Sequence, residues 1–201
     1  MDRKRMAKTA AALAWLPVPL AIVFLFRFSP LYRAILLLLS LTVHEAGHCI
    51  AFALLGFGAP RLLPAPGGFR LFSAAPLSYR EERTVALAGP AADLIPGILF
   101  LFCGSGDPYF AEAGWIFIGT GLSNLIPIAD HDGGRVLFCL LAPSLGPAQA
   151  GKIAGAASTV SLLLSLTLSF SLLYASGAGF YFSVFCLFSL LSHPLPQDDF
   201  F

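Results

Sequence analysis

Residues 36–56 read LLLLSLTVHEAGHCIAFALLG, and this stretch decides how the rest of the chain is understood. A helix that spans a membrane needs about 20 apolar residues, and this run has that length and character. Residues 44–48 nevertheless read HEAGH, which places two imidazoles and a carboxylate inside the apolar run. A charged group near the bilayer centre costs roughly 2.5–3.5 kcal/mol, so such residues in a span indicate a function.

The spacing within HEAGH is typical of a metal site on a helix. A helix turns by about 100° per residue, so His44 and His48 share one face and Glu45 lies beside them. Two neutral imidazoles four residues apart can bind one Zn²⁺, and the carboxylate can accept a proton from water. The alternative is a pair of buried histidines that hydrogen-bond to neighbouring helices, which the cost of burying three ionisable groups disfavours.

The composition indicates an integral membrane protein. The 201 residues are 57% hydrophobic and 11% charged, and the mean hydropathy is +0.81. An ordinary soluble domain is far less apolar. The 12 Lys and Arg nearly balance the 11 Asp and Glu, so the net charge of +1 gives no indication of nucleic-acid binding.

The predicted fold class is an all-α polytopic membrane protein with about six transmembrane helices, of which the fourth is interrupted. We expect one domain over residues 1–201, with a core at 31–142 and two further spans within 150–191. The predicted segments are Ala7–Phe26, Leu31–Gly56, Thr84–Cys103, Phe110–Ala142, Ala150–Tyr174 and Gly177–Leu191.

The distribution of basic residues predicts the orientation. With the amino terminus inside, the inner connections hold most of the lysines and arginines, and the outer ones hold only Arg27 and Arg33. His48 lies eight residues before Gly56, the expected inner end of its helix, which corresponds to about 12 Å. We therefore expect a multi-pass protein of the bacterial cytoplasmic membrane, with its site open toward the cytosol.

One sizeable connection, GFGAPRLLPAPGGFRLFSAAPLSYREER at 56–83, follows the second predicted span. RLLP and GFRLF flank Pro66, Gly67 and Gly68, a composition that suits a turn between two extended pieces. A short membrane-associated β-hairpin and an irregular loop both fit this pattern.

The fourth segment supplies candidates for a third metal ligand. Its central part, GLSNLIPIADHDGGRVLF at 121–138, interrupts an apolar run with polar residues, a proline and two glycines. Non-helical backbone at membrane depth is tolerated only where protein buries it or where it lines a watery cavity. A catalytic zinc usually has three protein ligands, and Asp130, His131 and Asp132 are the candidates here.

Three stretches together resemble the site-2 protease family of intramembrane zinc metalloproteases. These are HEAGH at 44–48, NLIPIADHDGG at 124–134, and the pair Gly89 and Pro90 in the third span. The resemblance implies one Zn²⁺ per chain and hydrolysis of a peptide bond in or near a transmembrane segment of a substrate protein. With six spans and no appended domain visible, the chain looks most like the compact bacterial branch that includes a sporulation protease acting on a sigma-factor precursor.

Roles carry over from the family residue by residue. His44 and His48 would be zinc ligands, and Glu45 would be the general base. Asp132 would be the third ligand, because it stands immediately before two glycines as the family's aspartate does. Asp130 and His131 compete with it, because either could reach a metal, whereas family members more often have apolar residues at those places.

The resemblance also assigns supporting roles. Asn124 matches an asparagine suited to hydrogen-bond the substrate backbone or an oxyanion, unless it only caps the backbone at the Pro127 break. Asp93 stands where the family often has asparagine; it either supports the site or, as we slightly prefer, only hydrogen-bonds across the bundle. Gly133 and Gly134 are expected to allow a turn that aims Asp132.

Three alternatives remain open at this point. A divalent-metal transporter would be expected to have a second ligand-rich span. A membrane endopeptidase of the prenyl-protein processing type would use a glutamate as its third ligand, for which Glu112 is the candidate. An inactive relative would act as a binding partner. For the protease we expect a transmembrane or membrane-associated protein substrate and control by other membrane proteins.

Overall fold

The computed structural model describes residues 31–58, 60–65, 68–72, 75–104, 106–129 and 131–176. These residues form five helices and one pair of strands. In chain order they are α1 (Leu31–Leu54), β1 (Arg61–Ala65), β2 (Gly68–Phe72), α2 (Tyr79–Cys103), α3 (Pro108–Leu125), α4 (Asp132–Leu145) and α5 (Pro147–Ser176). The predicted segments Ala7–Phe26 and Gly177–Leu191 lie outside the described residues.

Three of the described helices, α1, α2 and α5, are long and apolar enough to cross a membrane. The predicted fourth segment, Phe110–Ala142, is divided between α3 and α4. With 14 residues, α4 is about 21 Å long, which is shorter than the hydrocarbon core of about 30 Å. The predicted interruption is therefore present, whereas the count of six spans stays a prediction.

Helix α2 begins at Tyr79, five residues before the predicted start at Thr84. A capping box explains the difference, because the Ser78 side chain accepts from the Glu81 backbone N–H while Glu81 accepts from the Ser78 backbone N–H. At the other boundary, α1 ends at Leu54 instead of Gly56, so His48 lies about 9 Å from the end of its helix.

The segment between α3 and α4 is held by neighbouring groups. The Ala129 backbone N–H donates to the hydroxyl of Ser158 on α5 over 2.9 Å, and the His131 N–H donates to the Ile128 carbonyl, also over 2.9 Å. Such bonds explain how non-helical backbone can persist between apolar helices, where no water would satisfy it.

Helix α2 is central, since it packs against α1, α3 and α4, while α5 packs on α4. Close approach of α1 to α2 depends on Gly47, because a Cβ at this position would lie 2.6 Å from the Ala88 carbonyl oxygen. Small residues at such interfaces let two backbones meet. Gly47 therefore lets the face of α1 that carries His44 and His48 pack directly on α2.

Strands β1 and β2 connect α1 to α2 along the chain and pair antiparallel, with Ala65 opposite Gly68 and Arg61 opposite Phe72. Within the described residues they form a two-stranded sheet. Association of this strand pair with a membrane surface stays a prediction.

Candidate metal centre

The side chains of His44, His48 and Asp132 converge on one point between α1 and the start of α4. His44 Nε2 lies 3.0 Å from Asp132 Oδ2, His48 Nε2 lies 3.2 Å from the same oxygen, and the two Nε2 atoms are 3.2 Å apart. All three residues are buried, at 4–7% exposure. We call these residues the ligand triad; within the described part of the chain they form the one such group of three His, Cys, Asp or Glu side chains.

The other ring nitrogens fix the tautomers of the two histidines. His48 Nδ1 lies 2.8 Å from the Val85 carbonyl oxygen, which can only accept, so this nitrogen carries the proton. His44 Nδ1 lies 2.7 Å from Asp93 Oδ2 and donates to that carboxylate. In the neutral rings that a metal requires, both Nε2 lone pairs then face each other and the Asp132 carboxylate.

This donor set fits a zinc ion. Tetrahedral zinc with ligands at roughly 2.0–2.1 Å separates its ligand atoms by about 3.3 Å, close to the 3.0–3.2 Å found within the ligand triad. Two imidazole nitrogens and one carboxylate oxygen are also the usual ligand types of catalytic zinc sites, which keep a further position open. A cation between the three atoms would remove the repulsion between their lone pairs.

Gly89 on α2 makes the space that the two imidazoles occupy. A Cβ at this position would lie 2.4 Å from His48 Nε2 and 2.8 Å from His44 Nε2, distances that real Cβ contacts do not reach. In the sequence, Gly89 and Pro90 were notable only because the family has the same pair. The structure shows why a glycine is needed here, since any side chain at position 89 would clash with the imidazoles.

Asp132 is the first residue of α4, and its position depends on two close backbone approaches. A Cβ on Gly133 would lie 2.2 Å from the Leu125 carbonyl oxygen, and one on Gly134 would lie 2.1 Å from the Ile128 carbonyl oxygen. The prediction that these glycines form a turn is wrong, because both lie within α4 and neither has a positive φ. They keep the start of α4 close to the end of α3.

A partly exposed arginine lies beside Asp132 of the ligand triad. Arg135 lies 3.6 Å from the second oxygen of Asp132 and 3.3 Å from Glu82 on α2. Its side chain is one-third exposed, so the Arg135–Glu82 pair borders the centre and faces the surroundings.

The predicted catalytic residue lies on α1 with the two histidines, and the predicted substrate-binding residue lies on α3. Glu45 is exposed on α1, between the two buried histidines in sequence. Asn124 lies half-buried near the end of α3, where its amide donates to the Thr120 carbonyl over 3.1 Å. Its predicted role toward substrate stays a prediction.

The competing ligand candidates stand apart from the ligand triad. His131 Nδ1 donates to the Ser123 carbonyl over 2.9 Å, and His131 does not belong to the group. Asp130 lies outside the described residues. Glu112 contacts Tyr32 and Arg33 in the first turn of α1, twelve residues before His44, which is about 18 Å along the helix.

Two groups near the histidines were not predicted from the sequence: the Ser40 hydroxyl, which bonds Asp93, and the Val85 carbonyl, which bonds His48. Ser40 donates to Asp93 Oδ1 over 2.9 Å, and its place four residues before His44 on a predicted helix is a signal that could have found it. The Val85 carbonyl left no signal, because it is a backbone group that only the packing of α2 on α1 brings to His48. Asp93 hydrogen-bonds His44, which is a predicted ligand. The slightly preferred interpretation gave Asp93 a bond across the bundle without a contact to the site.

Two comparisons with known proteins bear on the metal centre, one by sequence and one by structure. A zinc metalloprotease of Methanocaldococcus jannaschii is 30% identical over 128 residues, which are 60% of this chain and 37% of that protein. The chain therefore spans well under half the length of this curated relative. The solved site-2 protease from the same organism matches with a TM-score of 0.64 and 24% identity, covering 92% of this chain and 88% of that one.

No protein-family model matches the chain. The structural match shows that the chain has the fold of a site-2 protease. Together with the curated relative, it confirms the resemblance that HEAGH and the later Asp-Gly-Gly indicate. The narrower resemblance to the branch that acts on a sigma-factor precursor stays a prediction.

Proposed function

We propose that this chain is a member of the site-2 protease family and hydrolyses a peptide bond in or near a transmembrane segment of a substrate protein. The observation that carries the proposal is the ligand triad, three buried side chains whose donor atoms lie 3.0–3.2 Å apart beside the exposed Glu45. The curated relative, a zinc metalloprotease, supports the same chemistry.

Each residue of the centre has a defined task in this proposal. His44, His48 and Asp132 would hold one Zn²⁺. When bound, zinc would polarise the scissile carbonyl and make water a stronger acid. Glu45 accepts a proton from water and later delivers it to the leaving amine, so that no covalent intermediate with the protein is required. Asn124 would hydrogen-bond the substrate backbone or the developing oxyanion.

The substrate must reach the centre as an extended chain, because a helix keeps its carbonyls in its own hydrogen bonds. Strands β1 and β2 form a two-stranded sheet within the described residues, so each offers an edge to which an extended segment could add. Replacing Gly67 and Gly68 with valine should slow cleavage and leave bound zinc unchanged. Unaltered cleavage would refute a role for the strand pair.

We further propose a location and a setting for the reaction. The positive-inside pattern supports a cytoplasmic-membrane protein with its centre near the cytosolic side. The short distance from His48 to the end of α1, about 9 Å, supports a centre near one side of the membrane. Other membrane proteins would deliver the substrate or inhibit the protease.

Cleavage of membrane-tethered reporter proteins by the wild type and by Glu45→Gln tests this function. The amide keeps the three ligands and removes the base, so zinc should remain while cleavage falls by about 10²–10⁴-fold. A wild type that holds zinc, cleaves none of the reporters and moves metal ions across vesicles would instead be a transporter.

A further inference from the structure

Asp93 on α2 is a fully buried carboxylate that contacts the metal centre from behind. Its exposure is 0%, and so is that of Ser40, one helix away on α1. Asp93 Oδ1 accepts from the Ser40 hydroxyl over 2.9 Å, and Oδ2 accepts from His44 Nδ1 over 2.7 Å. The three side chains form a continuous chain of hydrogen bonds that ends at a predicted ligand.

The donors in this chain define its direction. The Asp93 carboxylate accepts through both oxygens, one from Ser40 and one from His44. The proton in the bond to His44 therefore resides on Nδ1. The opposite nitrogen, Nε2, then keeps its lone pair toward the ligand triad. Metal-bound histidines commonly have such a carboxylate behind them, which fixes the ring orientation and increases the basicity of the ligand.

The charges near the centre give Asp93 a second task. A divalent cation held by two neutral imidazoles and the Asp132 carboxylate keeps one positive charge in a buried place. Arg135 and Glu82 nearby are oppositely charged and offset one another. A second buried carboxylate, Asp93, would offset the remaining charge, and burial without a charge partner is costly for both.

We propose that Asp93 and Ser40 are positioning residues of the metal centre, which orient His44 and offset the residual charge of the zinc-bound ligand triad. This inference rests on the proposed function only in that the ligand triad holds zinc. Asp93 does not touch the metal or the substrate, and it acts through His44. Ser40 acts one step further away, by orienting the carboxylate.

The zinc dissociation constant, measured in detergent by competition with a chromophoric chelator, tests the inference without any substrate. Asp93→Leu removes both acceptors and should weaken zinc binding by about 10–100-fold, as loss of such partners does. Asp93→Asn keeps an acceptor for His44 and loses the charge, and Ser40→Ala loses one bond to the carboxylate. Both should weaken binding less than Asp93→Leu, by about three- to tenfold.

Ser165→Ala is the matched control, because Ser165 is also buried but lies on α5, which carries no residue of the ligand triad. It should bind zinc as the wild type does. A merely structural role for Asp93 would lower the unfolding temperatures of the zinc-free and zinc-bound proteins alike and leave zinc affinity unchanged. The absorption spectrum of the cobalt-substituted protein should also change in Asp93→Leu and stay close to that of the wild type in Asp93→Asn.

The outcomes separate this inference from the proposed function. A folded Asp93→Leu that binds zinc as tightly as the wild type overturns the inference alone, and a wild type that binds no zinc overturns the proposed function. If Asp93→Leu does not fold, the two milder variants decide. Weaker zinc binding in both supports the inference, and wild-type affinity in both overturns it.

Discussion

Both ends of α1 carry ionisable side chains that reach a neighbouring helix. The two ends differ in whether these side chains have hydrogen-bond and charge partners of the opposite kind. Near its start, Tyr32 and Arg33 contact Glu112 of α3, and we call these three residues the Glu112 cluster. The Arg33 and Glu112 side chains are 48% and 27% exposed, and their charges cancel. Near the other end, the ligand triad is buried and gathers three lone-pair donors at one point.

The difference shows how a structural cluster can be told from a metal centre. In the Glu112 cluster each acceptor faces a donor, so the cluster is complete without a ligand. In the ligand triad the two Nε2 atoms face each other and a carboxylate, while their Nδ1 atoms are already used. Only the second arrangement gains from a cation, and changes that disturb it should affect zinc binding most.

Among the variants that test this comparison, Gly89→Ala is expected to lower zinc affinity most. The added Cβ would lie 2.4 Å from His48 Nε2 and must displace the imidazoles from the ligand triad. Zinc affinity should fall by about 100-fold, the upper end of the range for changes around metal ligands. Gly119→Ala on α3 is the control, since a Cβ there meets nothing within 4 Å. Equal zinc affinity in both variants would mean that the imidazoles do not bind the metal.

A smaller effect is expected from Gly47→Ala. Its Cβ would meet the Ala88 carbonyl oxygen at 2.6 Å, so α1 must move away from α2 without a direct clash with a ligand. Overpacking of this kind costs about 1–3 kcal/mol of stability. Thermal unfolding should show that loss, and zinc affinity should fall less than in Gly89→Ala. The opposite ranking of zinc affinities would contradict the described packing of α1 on α2.

The smallest effect is expected at the other end of α1, from Glu112→Gln. Partly exposed ion pairs contribute little to stability, so the unfolding temperature should change little. Zinc content should be unchanged, because Glu112 contacts Tyr32, which lies about 18 Å from His44 along α1. Loss of zinc in this variant would identify Glu112 as a ligand and revive the prenyl-protein processing alternative.

Local sequence patterns predicted much of the centre. HEAGH in an apolar run predicted α1 and two ligands, because the four-residue spacing alone places both imidazoles on one face. Pro127 and the two glycines predicted the interruption after α3, and the structure brings Asp132 to the histidines. The start of α2 was misplaced because the capping box at Ser78 and Glu81 was overlooked in a polar stretch.

Contacts between helices could not be predicted in the same way. Gly89 faces the imidazoles only because α2 crosses α1 at that residue, and nothing near it in sequence reports the crossing. The Val85 carbonyl is a backbone group, so no residue type indicates it. Asp93 gave a partial signal, a carboxylate in an apolar span, but its partner depends on the packing of two helices separated by the strand pair.

The measurement that tests the central claim most directly is the zinc content per chain of the wild type, Asp132→Ala and Asp107→Asn. Asp107 caps the start of α3 through the Tyr109 N–H and serves as the aspartate control outside the ligand triad. We expect about one zinc in the wild type and in Asp107→Asn, and loss of zinc in Asp132→Ala, because catalytic zinc needs its third protein ligand. Full zinc content and unchanged affinity in Asp132→Ala would contradict the account.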